Sequence, residues 1–204
     1  GVLADRPDLV AGGVVSYPVS DLRSLAEVTH RFEAHYTDMC DTEFTIDAYT
    51  DAGPIEAVAS GVIPSDAQGI VDVEGLPEGT AAVRVTTSGE SVASVVVEGE
   101  TIRAGTPGAP FAASTWIVPG VGGAGAVLRL ANPNGLDATV DIRPLIAGGE
   151  VETVALPAGS TALVRVSGPG PGYIVQSDGD VFVSWSLSGD AGFALGVGTP
   201  LRTG

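Results

Sequence analysis

Residues 156–166 read LPAGSTALVRV, and residues 63–73 read IPSDAQGIVDV. In each, an aliphatic residue and a proline enter a small polar turn, and the turn feeds a run of alternating apolar positions. The two phrases stand 93 residues apart (63 to 156). Extending the comparison keeps it in order. AVRVTTSGESVASVVV (82–97) matches GYIVQSDGDVFVSWSL (172–187), TIDAY (45–49) matches TVDIR (139–143), and Gly105-Thr106-Pro107 matches Gly198-Thr199-Pro200. Any one match is weak, because Val and Gly are common here. Four in the same order, at offsets of 90–94 residues, define a repeated unit of about 93 residues. LVAGGVVSYPVSD (9–21) aligns with IRAGTPGAPFAAST (102–115) across the seam between units. The expected organisation is a tail of a preceding unit or a linker over 1–11, one β-sandwich module over 12–107 and a second over 108–204. A segment cut from a tandem array would look like this.

Gly and Pro supply 29 and 14 of the 204 residues, above their usual combined share of about 12%. Yet 44% of the residues are hydrophobic and the mean hydropathy is +0.31, which favours a folded core over disorder. The apolar residues come in short runs of Val, Ala, Leu and Ile cut by Gly, Pro, Asn and Asp. That is the texture of short strands and many turns. Acids number 25 against 9 bases, all arginine, for a net charge of −16. Such a field repels polyanions, so nucleic acid and anionic membrane surfaces are not expected partners. No stretch reaches the roughly 18–20 consecutive apolar residues of a membrane-spanning helix.

Period-2 alternation is clearest in VFVSWSL, where Val181, Val183, Trp185 and Leu187 point one way and Phe182, Ser184 and Ser186 the other. Ser177-Asp178-Gly179-Asp180 ahead of it, and Ser88-Gly89-Glu90 in the first unit, read as hairpin turns. AVLRLANP and ATVDIRPL, separated around Asn134-Gly135, read as another hairpin. Ala162, Val164 and Val166 alternate with Leu163, Arg165 and Ser167 in a further strand. SDLRSLAEVTHRFEAHY (20–36) contains a capping-box pattern, Ser24-x-x-Glu27. It also alternates from Val28 onward, and its counterpart AVLRLA is strand-like. A helical turn near 21–26 and a strand over 27–37 are therefore expected. Six or seven strands per unit, spaced about 8–12 residues apart, is the pattern of an antiparallel sandwich, and an immunoglobulin-like topology is the expectation.

The two histidines, His30 and His35, and the single cysteine, Cys40, raise the question of a metal or a Cys–His pair. Five residues along a strand put the two rings on opposite faces. No catalytic residue, metal site or cofactor is expected. By the repeat, Cys40 falls in the turn that Asn134 occupies, and it is expected either free or paired with a thiol outside the segment. GSTAL and GESVA lack the G-x-S-x-G pattern, and GVGGAG (120–125) has neither a P-loop lysine nor a βαβ setting. Asp38, Asp41 and Glu43 offer oxygens to Ca²⁺ but no D-x-D-x-D-G loop. The acids offer many pairs for glycoside hydrolysis, with nothing to single out two. Trp116, Trp185 and Tyr173 could stack on sugars. Trp185, however, shares its face with Val181, Val183 and Leu187, and Trp116 opens a strand, so both read as core anchors.

Trp116-Ile117-Val118-Pro119-Gly120, then Leu128-Arg129-Leu130-Ala131-Asn132-Pro133, then LPAGST and VQSDGDVFVS (175–184) resemble a family of uncharacterised actinobacterial large secreted proteins, a domain of unknown function built of β-rich repeats. The resemblance covers 110–188 and reaches the first unit only through the repeat. That unit lacks the tryptophan and has HYTDMCD (35–41) in place of the Asn-Pro segment. The resemblance implies an extracellular or cell-envelope location, and no activity or functional residues.

The functional expectation is a non-catalytic spacer or interaction segment of a larger secreted or envelope-attached protein. Its partners would be a cell-wall glycan or another surface protein. The alternatives are a polysaccharide- or surface-binding module, with or without Ca²⁺, and, more remotely, a cryptic hydrolase.

Overall fold

In a computed structural model the short apolar runs become strands, and the described residues are 13–15, 29–35, 41–64, 68–72, 76–77, 80–88, 92–98, 103–109, 111–120, 126–166, 171–189 and 192–201. The first half contributes β1 (Gly13–Val15), β2 (Thr29–His35), β3 (Thr42–Thr50), β4 (Gly53–Ile63), β5 (Gln68–Asp72), β6 (Ala82–Thr87), β7 (Val92–Glu98) and β8 (Arg103–Pro107). The second contributes β9 (Ala113–Pro119), β10 (Ala126–Ala131), β11 (Ala138–Pro144), β12 (Glu152–Leu156), β13 (Thr161–Val166), β14 (Gly172–Gly189), β15 (Gly192–Val197) and β16 (Thr199–Pro200). The fold is all-β, and its ladders are antiparallel. The helical turn expected near 21–26, Cys40 and the Ser88-Gly89-Glu90 turn beyond Ser88 lie outside the described residues.

Sheet order repeats between the halves. The first half forms β1-β6-β3-β4 and β5-β2-β7-β8. The second forms β9-β14-β11-β12 and β13-β10-β14-β15, with β16 added beside β9. Position for position, β6 and β7 are replaced by the two ends of β14. Register fixes which residues correspond. Val71 lies opposite Phe32 as Val164 lies opposite Leu128, so the two quoted phrases are spatial equivalents. Their first residues, Ile63 and Leu156, are both buried and sit opposite Thr42 and Ala138 at the starts of β3 and β11.

Elsewhere the ladders move the correspondence. Ile46 pairs with Val85 and Ile142 with Val175, so Ile46 answers Ile142 rather than Val140. A shift of two keeps every side chain on its face. Val15 pairs with Val83 as Val118 pairs with Tyr173, so residues 13–15 answer 116–118 rather than the stretch after Arg103. Pro107 and Val197 lie opposite Ser94 and Ser184, so Gly105-Thr106-Pro107 answers 195–197, not Gly198-Thr199-Pro200. Text rich in Val and Gly aligns at several registers; hydrogen bonding selects one.

Two expected hairpins are not formed. Ser177-Asp178-Gly179-Asp180 lies inside the continuous strand β14, where the register shifts between Gln176 and Val181. Rather than reversing, β14 crosses: residues 172–177 pair with β11 and β9, and residues 182–189 pair with β10 and β15. The polar residues of the presumed turn hold the crossing. Asp178 Oδ1 accepts from the Thr139 N–H at 2.7 Å, Ser177 Oγ accepts from the Gly179 N–H at 3.3 Å, and Asn134 Nδ2 donates to the Asp180 carbonyl. The segment around Asn134-Gly135 likewise links two sheets, because β10 and β11 pair with different neighbours.

The core of the second half draws on both its sheets: Trp116, Val118, Val140, Ile142 and Val175 meet Leu128, Leu130, Val164, Val166 and Val183. Three residues from before β9, Tyr49, Ala82 and Ala109, belong to the same buried cluster, with Phe111 and Ala112 packed against it. Pro54, just past the β3–β4 turn, abuts Gly159: a Cβ there would stand 3.0 Å from the Pro54 Cδ. Gly159 also has φ +66°, a conformation cheap for glycine alone.

Candidate functional site

The groups able to do chemistry sort by what they touch. Trp116, fully buried, sends its indole N–H to the carbonyls of Ala113 and Val181, both at 2.9 Å. Those two residues face each other at the register shift of β14, so the indole ties down the crossing and is no sugar platform. Phe182 packs on it with ring centroids 6.4 Å apart. Trp185 is half-buried and lies across Gly196 of β15, whose hypothetical Cβ would stand 2.6 Å from the indole. Its N–H has no hydrogen-bond partner among the described residues.

Asn132 is fully buried and works as a junction. Its Nδ2 donates to the carbonyls of Leu136 (2.8 Å), Leu156 (3.1 Å) and Pro157 (3.2 Å), while Oδ1 accepts from the Asn134 N–H (3.0 Å). The β10–β11 link is thereby stitched to the turn LPAGST. Within that turn the Ser160 hydroxyl donates to the Pro157 carbonyl at 2.7 Å, and Thr80 does the same to Pro77 at 2.7 Å. The pattern Leu-Pro-x-Gly-Ser/Thr thus builds one kind of turn at two places that do not correspond in the repeat.

Asp47 is buried where β3 meets a bulge of β4. One oxygen accepts from the Ala57 N–H at 2.9 Å; the other takes Arg84 Nη2 at 2.8 Å and Nε at 3.2 Å. Ala57 stands at φ 54°, a left-handed conformation rare outside glycine. Asp47 therefore holds a distorted edge strand, and Arg84, well exposed, adds only a screened ion pair.

Arg129 is the group that sequence reasoning missed. Alternation puts it opposite Leu128 and Leu130, and it is 1% exposed. Neighbouring residues of that face, Phe182, Ser184 and Ser186, are buried too. Nη1 donates to Ser186 Oγ at 2.6 Å, and Nε has no partner among the described residues. Burial pushes the guanidinium down to about 9, which leaves it charged at neutral pH. The small serines opposite a long cation were the one available signal. An arginine so placed cannot serve as a general base; it can hold a carboxylate or another anion, and otherwise it costs stability.

His30 and His35 both belong to β2, five positions apart. Of the calcium candidates, Glu43 lies in β3 with its N–H on Ser88 Oγ, Asp41 immediately precedes that strand, and Asp38 lies outside the described residues. No group of three or more His, Cys, Asp or Glu side chains positioned to hold a metal occurs among the described residues. No protein-family model matches the chain, and no curated protein matches it.

Proposed function

We propose that the chain is a non-catalytic spacer or interaction segment of a larger secreted or envelope-attached protein, in which two β-rich repeats form one stiff body. The observation that supports this is the buried seam. β8 ends at Pro107 and β9 begins at Ala113, and the short link between them puts Ala109 into the cluster that also receives Tyr49 and Ala82. A link whose side chain is part of a core cannot swing freely, because each tilt exposes that apolar surface at roughly 25 cal/mol per Å². Spin labels at the exposed positions Val62 and Leu163, one in each half, test it in a Cys40→Ser background. A narrow distance distribution that broadens in Ala109→Asp is expected. A distribution already as broad as that of a flexible linker rejects the reading.

A further inference from the structure

The chain holds two asparagines, and both stand in the β10–β11 link: Asn132, followed by Pro133, and Asn134, followed by Gly135. An asparagine side-chain carbonyl can be attacked by the backbone nitrogen of the next residue, which closes a five-membered imide. Proline has no N–H to lose, so Asn132, fully buried besides, is closed to that route. Asn134 is open to it. Asn134 and Gly135 are both exposed, the glycine brings no side chain to hinder its nitrogen, and the Gly135 N–H has no hydrogen bond among the described residues. The one Asp-Gly pair of the chain, Asp178-Gly179, offers the same ring closure and is held against it. Its nucleophile is engaged, because the Gly179 N–H donates to Ser177 Oγ at 3.3 Å. Its carboxylate accepts from the Thr139 N–H at 2.7 Å, inside a continuous strand.

We propose that Asn134 is a site of spontaneous modification: it deamidates in the folded chain, and the product loosens the crossing of β14. The Gly135 nitrogen gives up its proton to solvent and bonds to Cγ of Asn134. The Cγ–Nδ2 bond breaks, and the amide nitrogen takes a proton from solvent and leaves as ammonia. Water then opens the imide at either carbonyl, leaving aspartate or its β-linked isomer, with nothing oxidised or reduced. What departs is the group that holds the strand, since Nδ2 donates to the Asp180 carbonyl. In the aspartate product a carboxylate oxygen, an acceptor, faces that carbonyl instead. A negative charge is added to a link that carries Asp137, beside a strand that carries Asp178 and Asp180. The β-linked product reroutes the backbone through Cβ and turns the carbonyl that accepts from the Gly159 N–H, at 3.1 Å, into a free carboxylate. The reaction is indifferent to what the segment is attached to, so it stands or falls apart from the spacer reading.

The test incubates the 204-residue chain in warm, mildly alkaline buffer, folded and in urea, and follows residues 132–137 and 177–180 by tandem mass spectrometry. A one-dalton gain at Asn134 in the folded chain, without isomerisation at Asp178, is the expected result. Gly135→Ala places a methyl group in open space, at a backbone angle that alanine adopts. It is expected to slow the gain roughly tenfold or more by crowding the nucleophile. Asn134→Asp supplies one product at once. Its Thr139 amide, held by Asp178, is expected to exchange with deuterium roughly tenfold faster than in the wild type. A chain that gains the dalton in urea but not when folded overturns the proposal, as does isomerisation of Asp178 that keeps pace with Asn134. Unchanged exchange at Thr139 in Asn134→Asp overturns the loosening of the crossing.

Discussion

At position 116 one indole satisfies two carbonyls at the point where a strand changes sheets. Trp116→Phe keeps an aromatic ring but strands both acceptors, and a loss of about 2–4 kcal/mol in denaturant unfolding is expected. Arg129 carries the opposite lesson. Replacing a buried charge that has no ion-pair partner among the described residues, Arg129→Met is expected to raise stability by about 1–2 kcal/mol near neutrality. The pH dependence has a definite sign. Below about 9 the guanidinium is protonated in both states and its penalty is complete; above 9 the unfolded chain binds more protons, so wild-type stability recovers as pH rises. Tyr49 and Tyr173, both raised by burial, act the other way once unfolded tyrosines begin to ionise near 10. The gap between wild type and Arg129→Met should therefore narrow from pH 8 to 10, as read by urea midpoints; a constant gap refutes the assignment. The sequence made Trp116 legible as a core anchor because its neighbours are apolar. It hid Arg129, since alternation names a residue's face and says nothing of what lies over that face.

Elements show where local reading stops. Alternation located β10, β13 and the end of β14, and the face it assigned to Val164 and Val166 is the buried one. Turn residues marked where the chain bends, but Asp178-Gly179 and Asn134-Gly135 do not bring it back beside itself. Whether a strand returns to its own sheet depends on partners far away in sequence, so the dipeptides were silent on it. The bulge of β4 is another element set by a distant group, the Asp47 carboxylate. Its left-handed Ala57 costs strain that glycine would not. Ala57→Gly is expected to stabilise by about 0.5–1 kcal/mol, after the greater chain entropy of unfolded glycine is deducted. A urea midpoint that falls instead would show that the methyl group packs usefully.

For the whole molecule, the repeat was legible because each half must solve the same packing problem with the same order of strands, and the quoted phrases kept their register. Their seam was not, because Tyr49, Ala82 and Ala109 look like ordinary strand and linker residues until another core closes over them. A last property follows from β14. In the first half the corresponding path is two strands, β6 and β7, in separate sheets, and each sheet can open while the other stays closed. In the second half a single strand is hydrogen-bonded into both, so a fluctuation that frees one sheet tears the other. Amide hydrogen exchange should register this as one cooperative block: β10, β11 and β14 opening with a common free energy close to that of global unfolding, while β3–β6 and β2–β7 divide into two steps. Distinct opening energies for β10 and β11 would show that the crossing strand does not couple them.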